Sequence, residues 1–116
     1  MEFNKELIKG NLITIILSTL SEKEMYGYEI IKTLDDSSNG VFKMKEGTLY
    51  PLLHGLEFEG YIKSSERKSD NGRKRKYYKI TKAGLKRLED KKKEWTAFKE
   101  FVDQLVASGI SYACQN

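Results

Sequence analysis

Arg73, Lys74, Arg75 and Lys76 form an unbroken cationic run inside SDNGRKRKYYKIT, residues 69–81, and Lys79 adds a fifth positive side chain. Groups of this type at this spacing bind anions, and polyanions best of all. DNA carries one negative charge per ~1.7 Å of axis, and each phosphate neutralised releases condensed counterions. Other residues able to do chemistry are sparse. The chain has one histidine, His54, and one cysteine, Cys114, so neither an internal disulfide nor a His/Cys metal site can be assembled. His54 has no nucleophile beside it in sequence. Cys114 has no Lys, Arg or His next to it to lower its pKa and reads as an inert tail thiol. There is no phosphate loop, no G-x-S-x-G and no paired acid and base, so an enzyme is not expected and no cofactor is implied.

The net charge of +4 conceals a division along the chain. Residues 1–60 hold 6 Lys and Arg against 10 Asp and Glu, residues 61–82 hold 9 against 2, and residues 83–116 hold 6 against 5. An excess of seven positive charges within 22 residues is a local field and the footprint of a phosphate-binding surface. The competing reading is a solvated strand edge, since lysines commonly blunt exposed strands.

The elements that must hold these cations follow from patterning. At 116 residues, with 39% apolar and 33% charged residues and one proline, the chain reads as one mainly helical globular domain. Its longest apolar stretch, Leu12 to Leu20, is interrupted by Thr14, Ser18 and Thr19 and falls short of a membrane span. Glu2, Lys5 and Glu6 after Met1 do not make a secretory signal, so a cytoplasmic protein with no membrane partner is expected.

Apolar residues from Leu7 to Leu20 fit one mostly buried helix. Ser21-Glu22-Lys23-Glu24 has capping-box form, so a second helix starts there or at Gly27, and the cluster Asp35 to Gly40 ends it. A third helix covers Glu46 to Glu59, with Leu49, Leu52, Leu53, Leu56 and Phe58 facing inward. Pro51 means that regular helix begins near 48–50 or that the helix kinks, and Gly60 closes it. Tyr61 to Lys68 and Lys74 to Thr81 read as two strands joined through Asp70-Asn71-Gly72, in which Asn-Gly is a strong hairpin signal. Their polar outer ends must project past the core. Thr81 can cap a last helix from Lys82 to about Ser108, whose seam of Leu88, Trp95, Phe98, Val102 and Leu105 is too long for so small a body to cover. A second copy of the chain is the nearest partner for it.

Three helices, then a hairpin with a basic tip, make the order of a winged helix-turn-helix. The expected architecture is mainly α with a small β-hairpin: a DNA-binding domain over residues 1–81, and a long C-terminal dimerisation helix and tail over 82–116. The third helix would enter the major groove and the wing would lie on the backbone or reach the minor groove. Alternation along the strand lets either Arg73 and Arg75 or Lys74 and Lys76 face one phosphate row.

MYGYEIIKTL, KEGTLYPLLHGLEFEGYI and GRKRKYYKITKAGLKRL, in that order, resemble the PadR family of bacterial transcriptional regulators, whose hallmark is G-T-L-Y-P ahead of L-x-x-L-E-x-x-G. The resemblance implies a homodimer that binds double-stranded DNA at a two-fold-related operator, usually represses, and lets go when a small molecule or other signal arrives. It implies DNA contacts from Tyr26, Tyr28, Lys45, Thr48, Leu49, Tyr50, His54 and the wing cations Arg73, Lys74, Arg75 and Lys76, with Leu49 able to meet a thymine methyl. Gly55 departs from the family, which commonly carries a longer polar or basic residue there, and so thins the base-reading set. Some relatives of this length hold flat aromatic compounds at the dimer centre. Trp95 could stack on such an effector, although a dimer-interface core explains its spacing equally and is favoured. The alternative function is a dimeric protein-interaction module with only nonspecific DNA affinity, motivated by the acidic first 60 residues.

Overall fold

The computed structural model describes residues 3–109, so Cys114 lies outside the described residues. The single helix expected over residues 7–20 is two: α1, Lys5–Gly10, and α2, Leu12–Glu22. Asn11 makes the break, with φ −113° and ψ 3°, its side-chain amide donating to the Leu7 carbonyl at 2.7 Å. Leu12, Ile16, Leu17 and Leu20 then line the buried face of α2 at helical spacing.

The Ser21 capping box does not form; the Ser21 hydroxyl donates instead to the Ser18 carbonyl inside α2. Met25–Tyr26 is a short strand, β1, and α3 runs Gly27–Ser37. The start of α3 is capped from Glu29, whose carboxylate accepts the Tyr26 N–H at 3.3 Å. Gly27 lets the Tyr50 ring pack close: a Cβ there would collide with the Tyr50 hydroxyl, and that ring would have to shift.

α4 covers Glu46–Phe58, with Pro51 in its second turn. Regular helix therefore begins before the proline, and Pro51 brings no N–H for the Gly47 carbonyl. Gly60, at φ +82°, ends it in a Schellman motif, with Gly60 N–H on the Glu57 carbonyl at 3.0 Å and Tyr61 N–H on the Leu56 carbonyl at 2.9 Å.

β2, Ile62–Lys68, and β3, Lys74–Ile80, form the expected hairpin. Its loop is a type I turn with Gly72 left-handed at φ +79°: Gly72 N–H bonds the Ser69 carbonyl at 2.9 Å, and Ser69 N–H the Arg73 carbonyl at 2.8 Å. The sheet has a third strand that the hairpin reading lacked, because β1 pairs with β3 to give the antiparallel order β1-β3-β2. A two-residue strand is too short for period-2 patterning to reveal.

Tyr78, Ile62 and Met25 close the core against Leu49, Leu53 and Leu56 of α4, Ile30 and Leu34 of α3, and the α2 face. α5, Lys82–Gln104, opens with Gly84 N–H on the Thr81 hydroxyl at 3.1 Å, as the sequence led us to expect, and continues as a π turn over Leu105–Gly109. Leu88 is buried, whereas Leu85, Trp95, Phe98, Phe101, Val102, Leu105 and Val106 are exposed along the rest of the helix. Among the described residues no helix is long and apolar enough to cross a membrane.

Candidate nucleic-acid interface

The cross-strand register decides where the wing cations point. Lys74 faces Lys68, Arg75 faces Arg67 and Lys76 faces Glu66, and side chains directly opposite share a face of the sheet. Lys74, Lys76 and the buried Tyr78 therefore lie on one face. That face is turned toward α4: Lys76 Nζ stands 3.9 Å from a Glu57 carboxylate oxygen, and Ser64, on the same face, donates its hydroxyl to Glu57. Burial pushes the Tyr78 phenol above its ordinary range, and the nearby Tyr50 and Glu57 raise it further.

Arg75 is on the opposite face, its guanidinium carbon 4.3 Å from the centre of the Tyr26 ring. Tyr26 meets Tyr77 edge-on at 5.4 Å, and Arg67 lies over Tyr77 at 3.8 Å while pairing with Glu24 at 2.9 Å. The two alternatives for the wing thus separate: Lys74 and Lys76 share the α4 side, and Arg75 is stacked on the other. Lys68 and Arg67 were not among the residues picked from the sequence. The Asn-Gly turn carried the signal, since counting back from it places them opposite Lys74 and Arg75.

Two like-charged pairs, Arg67 with Arg75 and Lys68 with Lys74, thus sit on adjacent rungs of the hairpin, one pair on each face of the sheet. Like charges directly opposite on antiparallel strands are destabilising, by roughly 0.2–1 kcal/mol a pair. Glu24 offsets one member and Glu57 holds Lys76, but among the described residues Lys68, Arg73 and Lys74 have no anionic partner. The unpaired rung of Lys68 and Lys74, with Arg73 at the turn, is complementary to phosphates.

On α4, Lys45 is the exposed N-cap, and Thr48 and His54 are exposed. Leu49 requires correction: it is 0% exposed, part of the core, and has no surface to offer a thymine methyl. Phe58, expected to face inward, is 89% exposed, because helical spacing puts it in line with Gly47, Pro51 and His54 rather than with Leu49, Leu53 and Leu56. Tyr28 is exposed, Tyr26 half-buried beneath Arg75, and Tyr50 half-buried with its hydroxyl over Gly27. The structure thus brings Lys74 and Lys76 to the α4 side of the wing and removes Leu49 from any outer surface.

A second surface lies at the other end. Trp95, 45% exposed, borders an apolar cavity of about 310 Å³ with Phe3, Leu7, Ile8, Ile15 and Phe42. Phe98 and Leu105 continue the exposed seam beyond it, and Val102 lies on the same helix.

Comparison with known proteins places this arrangement. Residues 16–90 match the model of the transcriptional regulator PadR-like family. A transcriptional regulator from Clostridium thermocellum superposes with a TM-score of 0.81 at 38% identity, covering 88% of this chain and 99% of that one. A PadR-like transcriptional regulator from Bacillus cereus superposes with a TM-score of 0.77 at 37% identity, covering 88% and 97%. An uncharacterised protein of Lysinibacillus sphaericus is 40% identical over 98 residues, 84% of this chain and 90% of that protein. The transcriptional regulator YqjI of Escherichia coli is 29% identical over 85 residues, 73% of this chain but 39% of that protein.

Proposed function

The chain belongs to the PadR-like family of transcriptional regulators, a family of DNA-binding proteins rather than enzymes, and on that premise we propose that it is a homodimeric repressor binding a two-fold-symmetric operator. The observation that carries this reading is the pair of like-charged rungs on the wing. The fold gains nothing from Lys68 beside Lys74, whereas a phosphate row relieves both. In this reading residues 1–81 engage DNA: α4 enters the major groove, Lys45, Thr48 and His54 face it, Tyr26, Tyr28 and Tyr50 flank it, and Arg73, Lys74, Arg75 and Lys76 approach the backbone. Residues 82–116 pair the subunits through Trp95, Phe98, Val102 and Leu105. The apolar cavity at Trp95 suits a small flat aromatic effector that alters the spacing of the two wings and releases DNA in the cytoplasm.

The test is affinity selection of randomised and genomic duplexes by the full-length protein at moderate and high salt. A two-fold-symmetric site with half-sites about one helical turn apart is the expected result. Recovery without sequence preference that vanishes with salt would instead make the wing a nonspecific anchor and direct attention to a protein partner.

A further inference from the structure

Gly47, Pro51 and Gly55 recur at intervals of four on α4, so they form one line along the helix, and all three are exposed. Glycine and proline are the poorest helix formers, and three on one line of a 13-residue helix is a systematic weakening. Among the described residues nothing accounts for it. A Cβ built on Gly47 or on Gly55 meets no atom within 4 Å, and neither residue has a positive φ. The glycines are thus required neither by packing nor by backbone conformation. What remains is an approach from outside: glycine serves where another molecule must come close to a backbone.

The side chains flanking this line share a second property. Thr48 and His54 are exposed beside it, and no Arg, Lys, Asn or Gln occurs between Glu46 and Phe58. Bidentate recognition of guanine needs Arg or Lys, and of adenine Asn or Gln. Between Glu46 and Phe58 the helix can make neither, and Lys45 stands at its N-cap, off this line. Besides the Phe58 ring at its C-terminal end, it offers the Thr48 methyl and the Pro51 ring, which stand nearer the N-terminal end of the helix and suit the C5-methyl of thymine, the one apolar group on the major-groove floor. Leu49 cannot take that part, being wholly buried.

We infer that α4 lies unusually deep in the groove along its Gly47-Pro51-Gly55 line, and that Thr48 and Pro51 read thymine methyl groups in each half-site. No long side chain from within the helix, between Glu46 and Phe58, reaches for guanine or adenine. The inference rests on the operator-binding reading above and names the base chemistry that the operator must present.

The probes are the duplex recovered by selection and copies in which each thymine of a half-site is singly replaced by deoxyuridine, which removes only the methyl. Affinity is expected to fall about four-fold at one or two positions per half-site, the loss of one buried methyl contact. Thr48→Ser keeps the hydroxyl and deletes the methyl, so it should abolish the uracil effect at one of those positions, the non-additivity expected of two groups in contact. Gly55→Ala should raise the thermal midpoint while weakening binding to the selected site by about ten-fold, because a close-packed groove cannot absorb the added methyl. Opposite movement of stability and affinity is the signature of a helix face shaped for its partner. If a specific site is selected but every uracil copy binds as well as the parent and Gly55→Ala leaves affinity unchanged, the inference is overturned and operator binding stands. If no site is selected at all, both fall.

Discussion

The guanidinium of Arg75 lies over the ring of Tyr26, its carbon 4.3 Å from the ring centre, across the seam where β1 joins β3. One of the wing's four consecutive cations is thereby committed to an aromatic neighbour on the face turned away from α4, at an attraction of about 0.5–1 kcal/mol at an exposed site. Lys74, one residue earlier, has no such partner among the described residues and stands on the α4 side.

The wing cations should therefore differ in their salt dependence. Lys74→Ala is expected to weaken binding to all duplexes alike and to reduce the slope of log K against log salt by about 1, the mark of a lost phosphate contact. Lys76→Ala should reduce it by less, because Glu57 already neutralises part of that charge. Fluorescence anisotropy titrations over a range of salt would check this. Equal slopes for the two variants would show that Glu57 releases Lys76 on binding.

Lys68→Glu converts a repulsive rung into an attractive one. It should stabilise the free protein by a few tenths to 1 kcal/mol while reducing DNA affinity, read by chemical denaturation and by the same titrations.

Leu49→Ala should cost 2–5 kcal/mol of stability, since the side chain is wholly enclosed. Its base preference, measured on the fraction that remains folded, should match that of the parent. A changed preference would mean that Leu49 leaves the core on binding.

Tyr78 gives a pH prediction. Its folded pKa is raised above the ordinary value of 10.0, so the native state favours the neutral phenol more strongly than the unfolded chain does. The resulting stability is fully present below that value and is lost as pH rises through the folded pKa. Denaturation midpoints compared for the parent and Tyr78→Phe should run in parallel below the ordinary tyrosine range and diverge above it, the parent falling faster.

Truncation of the α5 seam tests assembly. Phe98→Ala combined with Leu105→Ala removes exposed apolar surface and should leave the monomer's thermal stability nearly unchanged while weakening self-association, followed by sedimentation equilibrium. An unaltered association constant would place the interface elsewhere.

Much of this was legible in the residues. The hairpin, its Gly72 turn, the Gly60 stop and the Thr81 cap each depend on a short local signal with one mechanism, and each stands within a residue of where the sequence put it. What escaped was set by tertiary context. Ser21 has the right neighbours for a cap, but the chain is drawn out into β1 by pairing with β3, so Tyr26 and Glu29 take over that role. Leu49 sits in a family hallmark and invited a functional role, yet its angular position on α4 aims it at the core. The stacking of Arg75 on Tyr26 joins residues 49 positions apart, and only the three-stranded sheet brings them together.

The Thr81 hydroxyl makes two bonds that serve different parts of the molecule. It accepts Gly84 N–H at the head of α5, and it donates to the Gly60 carbonyl, 2.7 Å away, just past the end of α4. The Thr81 N–H reaches the Tyr61 carbonyl at 3.0 Å beside it. The long helix is thus hinged on the same few peptide units that terminate α4. At 1.5 Å per residue α5 is about 35 Å long, its first turns held on the core by the buried Leu88, so a tilt of about 5° at its base would sweep its far end through about 3 Å. Motion read in the other direction is geared down: a shift of several ångströms at the far end of α5 would arrive at the Gly60 carbonyl as a small rotation of α4.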